Sequence, residues 1–194
     1  MKGNKTKKIA VLAMLTAVSV ILVYLIHFPI FPAAVFLEYD PADIPVLIGT
    51  FAYGPGAGIL LTIAASAIQA LTVSAQSGVY GFLMHVISTS SLVLAAGLIY
   101  KVKHTKGGAA IALTIGTLTM GLVMMIANHF ITPIFMGAPT EVVDGMLLPI
   151  ILPFNLIKAG INSLITFLVY KTISKHIIKN DHISLHKNRK DSSM

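Results

Sequence analysis

The 194-residue sequence contains no cysteine, which excludes disulfide cross-links and thiolate metal sites. Charge is scarce too. Asp, Glu, Lys and Arg make up 11% of the residues, whereas a soluble domain carries about a quarter. With 56% hydrophobic residues and a mean hydropathy of +0.85, the chain does not fit an ordinary water-soluble enzyme and reads as a membrane protein. There is no Gly-x-x-x-x-Gly-Lys-[Ser/Thr] phosphate loop, no His-Glu-x-x-His and no Gly-x-Ser-x-Gly. The chain therefore has no recognisable route to ATP hydrolysis. It also lacks the ladder of buried carboxylates that carries protons in many ion-coupled carriers, and a repeat that would suggest an inverted-repeat transporter.

The charges that are present are segregated. No Asp, Glu, Lys or Arg occurs in residues 9–37, 44–100 or 107–140. A bilayer core about 30 Å thick takes about 20 apolar residues per helical crossing, so these runs hold several crossings. Tyr53-Gly54-Pro55-Gly56 and Ala75-Gln76-Ser77-Gly78 divide the longest run, because Gly, Pro and polar turn residues end helices. Helices are expected at about 9–27, 42–53, 57–74, 79–101, 107–131 and 145–174, an all-α membrane protein with six crossings. Thirteen of the fourteen basic residues then fall on one side, which the positive-inside rule assigns to the cytoplasm with both termini. They are Lys2, Lys5, Lys7 and Lys8; Lys101, Lys103 and Lys106; and Lys171, Lys175, Lys179, Lys187, Arg189 and Lys190. The net charge of +7 thus reports orientation and no nucleic-acid partner. Glu38, Asp40, Asp43, Glu141 and Asp144 fall in outer loops. Residues 1–8 read as a basic cytoplasmic start, 9–174 as the membrane domain, and 175–194 as a basic cytoplasmic tail near anionic lipid. The first apolar run is long for a signal peptide and lacks a cleavage site, so it reads as an uncleaved helix.

The second helix is anomalous: twelve residues span only about 18 Å. Either the loop at 27–43 dips into the protein to meet it or the helix begins below the outer surface. Both imply an indented outer face.

Lys158 is the one charge inside an apolar helix, where an unpaired cation costs about 2.5 to 3.5 kcal/mol. Asn155, Asn162 and Thr166 share its helical stripe at i−3, i+4 and i+8. Such a stripe faces the bundle interior, and its convergence exceeds what interhelical glue requires. Asn128 reads equally as a ligand group or as an interhelical hydrogen bond. Gln69 could help complete a polar cavity. His85 and His129 read as ordinary interhelical histidines, since neither has metal-ligand partners at helical spacing. In Phe36-Leu37-Glu38-Tyr39-Asp40-Pro41-Ala42-Asp43, Asp40 suits an N-cap, Pro41 the first helical position and Asp43 the first turn. Glu38 and Tyr39 remain without a capping role and suit a ligand combining a flat ring with hydrogen-bonding groups. Ala10, Ala13 and Ala17 give the first helix a small-residue face, compatible with an internal contact or an external partner.

The basic start with its alanine-spaced first helix, the loop FLEYDPADIPVLIG, the turn FAYGPGAG, the segment GFLMHVIS and the segment PFNLIKAGINSLITF together resemble the riboflavin-specific S-components of energy-coupling factor (ECF) transporters. The likeness spans about residues 8–174. It implies a non-enzymatic binding subunit in the cell membrane that captures riboflavin outside. The subunit would work with one transmembrane T-component and two cytosolic ATPases. It further implies ligand contacts from Glu38, Tyr39, Met84, Asn128, Asn155, Lys158 and Asn162, and T-component contact through Ala10, Ala13 and Ala17. No resident cofactor is implied, riboflavin being the cargo. The alternatives are a stand-alone secondary carrier for a flavin or other vitamin, and an intramembrane enzyme using His85, His129 or Lys158. The latter lacks a second catalytic group at suitable spacing.

Overall fold

The computed structural model describes residues 2–170. Five helices come first: α1 (Lys2–Leu25), α2 (Asp43–Tyr53), α3 (Pro55–Leu71), α4 (Gly78–Val102) and α5 (Lys106–Met136). A sixth, α6, occupies Thr140–Tyr170. It opens with α-helical turns over Thr140–Met146, passes through a π segment at Leu147–Ile151 and resumes as α-helix to residue 170. The loop between α1 and α2 carries two short antiparallel strands, β1 (Phe28–Pro29) and β2 (Glu38–Tyr39), with Phe28 opposite Tyr39.

Among the described residues, four spans are long and apolar enough to cross a membrane: Lys5–Leu25, Ala75–Val102, Lys106–Met136 and Thr140–Tyr170. The remaining two helices, α2 and α3, are shorter, at 11 and 17 residues. Helix positions follow the sequence reading with shifts at the ends. α1 begins within the basic start, α5 runs five residues past the expected 131, and α6 begins at Thr140 rather than 145. The end of helix six expected at 171–174 and the basic tail at 175–194 lie outside the described residues.

Local chemistry explains the helix ends. Gly54, at φ +90°, donates its N–H to the Thr50 carbonyl, and Pro55 then starts α3. Gly137, at φ +62°, caps α5 in the left-handed conformation that glycine adopts without a Cβ penalty. Thr105 caps the other end of α5, accepting from the Gly108 N–H at 3.0 Å. The π segment of α6 contains Pro149, whose missing N–H breaks the regular i→i−4 ladder.

α2 sits in the middle of the bundle. Nine of its eleven residues, Asp43 to Phe51, are buried, as expected for a helix that is apolar on every side. α1, α3 and α4 pack around it, α5 packs on α4, and α6 closes the ring against α5. The first residue of α2 is already deep: Asp43 bonds Thr89, eleven positions into α4 and about 16 Å from that helix's start. Both explanations of the short second helix therefore hold together. The loop dips into the protein, and α2 starts where the loop ends.

Close helix contact depends on Gly97 of α4. A Cβ there would lie 2.8 Å from Thr50 Cγ2, 2.9 Å from Pro55 Cβ and 3.2 Å from Pro55 Cα, so the backbone of the α2–α3 turn would have to move. Gly97→Val is expected to destabilise by about 1–3 kcal/mol through overpacking, whereas Gly107→Ala, which meets open space, is expected to be neutral. Thermal unfolding in detergent checks this, as a lowered midpoint for the first variant alone.

Candidate functional site

A cavity opens at the end of the bundle where α1 and α5 finish and α4 and α6 begin. Counted with its open mouth, the space is about 860 Å³. The dipping loop contributes Phe36, Leu37, Glu38 and Asp40, and α4 contributes Tyr80, Met84, His85 and Ser88. From α5 come Met120, Met124, Asn128, Ile131, Thr132 and Phe135, and from α6 Phe154, Asn155 and Lys158. Phe135 stacks edge-on with Phe36, centroids 6.1 Å apart, and leans against Tyr80 at 6.0 Å, forming an aromatic wall. Opposite chemistry comes from Asn128, Asn155 and Lys158.

Lys158 is 4% exposed and its ammonium donates to Asp40 Oδ2 at 2.6 Å. Asp40, 3% exposed, uses its other carboxylate oxygen to accept the Ala42 N–H at 3.0 Å. His85 Nε2 lies 3.6 Å from Asp40 Oδ2. One helical turn past Lys158, Asn162 Nδ2 donates both to the Asp40 carbonyl and to Asp43 Oδ2 at 3.0 Å, while Asn162 Oδ1 accepts from the Tyr39 hydroxyl at 3.1 Å. Thr89 donates to Asp43 Oδ1 at 2.6 Å, and Ser19 of α1 donates to the Ala42 carbonyl at 2.8 Å. Residues 39–43 are thus bonded to α1, α4 and α6 at once. Such a network is tolerated in a low-dielectric interior only when its donors and acceptors find each other.

The site-residue expectations divide into two layers. Glu38, Met84, Asn128, Asn155 and Lys158 line the cavity. Tyr39 and Asn162 do not; they are buried behind it and bond to each other. Asn128 and Asn155 each donate to the carbonyl one turn back, Met124 at 2.7 Å and Ile151 at 2.8 Å. Asn128 also accepts from Thr132 at 2.8 Å. Thr166 is buried beyond Asn162, donating to its carbonyl at 2.7 Å. Gln69 is buried in α3, away from the lining. His129 faces Asp144 at 2.6 Å across the α5–α6 turn. Ala10, Ala13 and Ala17 are exposed on α1, opposite the buried Leu12, Leu15 and Ser19.

Two residues do more than the sequence indicates. The regular helix α2 starts at Asp43, and Asp40 before it accepts the Ala42 N–H as a capping residue does, but its other oxygen is the counter-ion of Lys158. His85, read as an ordinary interhelical histidine, lines the cavity beside the same carboxylate. A signal for Asp40 existed, because an intramembrane cation calls for a carboxylate partner. The aromatic wall had no such signal, as Phe36, Tyr80 and Phe135 come from three separate segments.

The model of the family described as "ECF transporter, substrate-specific component" matches residues 7–170. Among curated relatives, the riboflavin transporter FmnP of Bacillus subtilis is 28% identical over 195 residues, covering 94% of this chain and 100% of the relative. The riboflavin transporter RibU of Staphylococcus aureus is 27% identical over 180 residues, covering 90% and 94%. A solved S component of a bacterial ECF transporter superposes with a TM-score of 0.77 at 28% identity, covering 89% of this chain and 98% of the other. The S-component for biotin from an ECF-type ABC transporter gives 0.58 at 18% identity, covering 88% and 94%, a likeness of fold alone.

Asn162→Ala is expected to destabilise by about 1–3 kcal/mol, because it strips a donor from a buried carboxylate and a backbone carbonyl together. Tyr39→Phe removes one bond and is expected to cost about 0.5–1.5 kcal/mol. Unfolding midpoints of the two variants measured side by side check the order.

Proposed function

We propose that this chain, which belongs to the family of substrate-specific components of ECF transporters, captures riboflavin in the cavity between the loop and α4 to α6 and delivers it across the membrane. The observation that carries this reading is the mixed lining of the cavity, in which the aromatics Phe36, Tyr80 and Phe135 and three methionines stand together with Asn128, Asn155 and Lys158. A flavin is a flat apolar ring with polar edges and a hydroxylated chain, and needs both. The names of the relatives, riboflavin transporters, support the same ligand.

In this reading, Phe36, Tyr80 and Phe135 cover the ring, while the polar groups bond its carbonyls and the ribityl hydroxyls. Lys158 has three N–H donors and spends one on Asp40, which leaves two for ligand. Asn128 and Asn155 are held in place by backbone carbonyls, so little side-chain entropy is lost on binding. Glu38, exposed at the mouth, contacts ligand directly, and Met84 packs on it. Tyr39 and Asn162 act from behind by holding the loop. The site performs no covalent chemistry and needs no resident cofactor.

Transport energy comes from a T-component and two ATPases, the partners on which ECF substrate-specific components depend. Ala10, Ala13 and Ala17 form the docking face for the T-component, as their shared exposure on α1 suits. We place both termini in the cytoplasm, with six helices in the bilayer of a bacterial plasma membrane. Lys5, Lys8, Lys101, Lys103 and Lys106 lie at the helix ends remote from the cavity, which supports this orientation.

Isothermal titration of the purified protein with riboflavin is expected to give one-to-one binding, and no binding refutes the ligand. Asn128→Ala is expected to weaken that binding about tenfold, equivalent to about 1.4 kcal/mol. Ala13→Trp is expected to spare binding yet abolish uptake in cells; retained uptake, or wild-type uptake without the ATPases, refutes the energising partnership.

A further inference from the structure

The chain carries a net charge of +7, but its cavity has the opposite sign. Lys158 is the only Lys or Arg among the lining residues, against the carboxylates of Glu38 and Asp40. Directly behind them Asp43 is satisfied by the neutral donors Thr89 and Asn162, so no second cation cancels it. The two lining histidines are His27, whose Nδ1 lies 3.0 Å from the Val23 carbonyl, and His85, 3.6 Å from Asp40. The single positive charge is therefore not available as a charge. At 2.6 Å from Asp40 Oδ2, the ammonium forms a contact pair whose field largely cancels at ligand distance, while its remaining N–H bonds still donate.

We propose that Asp40 is a specificity-determining residue: by pairing with Lys158 it makes the cavity's only ammonium part of an ion pair without net charge that still donates hydrogen bonds, so that the site selects an uncharged flavin over its phosphate esters. Asp40 acts through Lys158 and through the loop, which makes its role that of a positioning residue. The inference rests on the flavin reading given above and adds the charge class of the ligand. Its physical basis is the desolvation of a phosphate. An anion leaving water for this cavity meets Glu38, Asp40 and Asp43 with no uncompensated cation, so its lost hydration is not replaced. The same argument predicts what removing the carboxylate does. Asn in place of Asp40 keeps the shape and the Ala42 turn, but leaves Lys158 with an unbalanced positive charge facing the ligand.

Titration of wild-type protein, Asp40→Asn and the double variant Asp40→Asn/Lys158→Met with riboflavin and with riboflavin 5′-phosphate tests this. The readout is the ratio of the two dissociation constants, phosphate over riboflavin, which a merely structural loss, weakening both ligands alike, leaves unchanged. Wild type is expected to bind the phosphate less tightly than riboflavin. The ratio is expected to fall about tenfold or more in Asp40→Asn, about 1.4 kcal/mol, and to return towards wild type in the double variant. An unchanged ratio in Asp40→Asn, or tighter binding of the phosphate by wild type, overturns the proposal. Where Asp40→Asn does not yield folded protein, Lys158→Met decides, because it leaves Asp40 unpaired: a raised ratio supports the proposal and an unchanged one overturns it. Wild-type protein that binds neither flavin instead refutes the riboflavin reading itself, so the two failures are distinguishable.

Discussion

An ammonium group inside an apolar bundle is the constraint around which the cavity end of this protein is organised. A lysine placed mid-helix cannot remain in hydrocarbon alone, and Lys158 meets that requirement by drawing the Asp40 carboxylate down to it. Because Asp40 belongs to a loop, the loop must descend with it. Because Pro41, Ala42 and Asp43 follow at once, α2 can only begin at that depth. The short second helix, the indented face and the cavity are consequences of one ion pair and the chain geometry on either side of it.

Stability alone does not account for the pair: two buried charges recover their desolvation cost only when the remaining lone pairs and protons are bonded. While two N–H groups of Lys158 stay open to the cavity, Asn162 supplies the acid side of that condition. It takes the Asp40 carbonyl, the Asp43 carboxylate and the Tyr39 hydroxyl together, and Thr89 takes the last Asp43 oxygen. The π segment around Pro149 lies at the start of the same helix, one to three turns before these residues. A π turn changes the angular register of everything after it, so it bears on which face Asn155, Lys158 and Asn162 present together. Binding groups and the groups that hold the loop are thus adjacent turns of one helix.

Much of this was legible in the sequence. Charge-free runs and Gly-Pro turns marked six helices, and the polar stripe on the last one marked Lys158, Asn155 and Asn162 as inward-facing. Helical periodicity is local, and so is recoverable from spacing. The division of labour within the stripe was not recoverable. Lys158 and Asn155 reach the cavity while Asn162 is turned to the loop behind it, a difference set by where the loop lies. Asp40 read as a helix cap, and its bond to the Ala42 N–H agrees, but local spacing did not single it out as the counter-ion of Lys158. Its partner is 118 positions away, beyond any local pattern.

The sequence by itself determined that the protein lives in a membrane, how many helices it forms, and that one of them carries a charge needing a partner, since composition and period are properties of neighbouring residues. Only the tertiary structure decided which carboxylate answers that charge, and that Phe36, Tyr80 and Phe135 converge on one wall. It also decided that a chain with a net charge of +7 presents a cavity lined by two carboxylates and a single ammonium. Those are facts of juxtaposition between distant segments, fixed when the buried polar groups of those segments bond to one another.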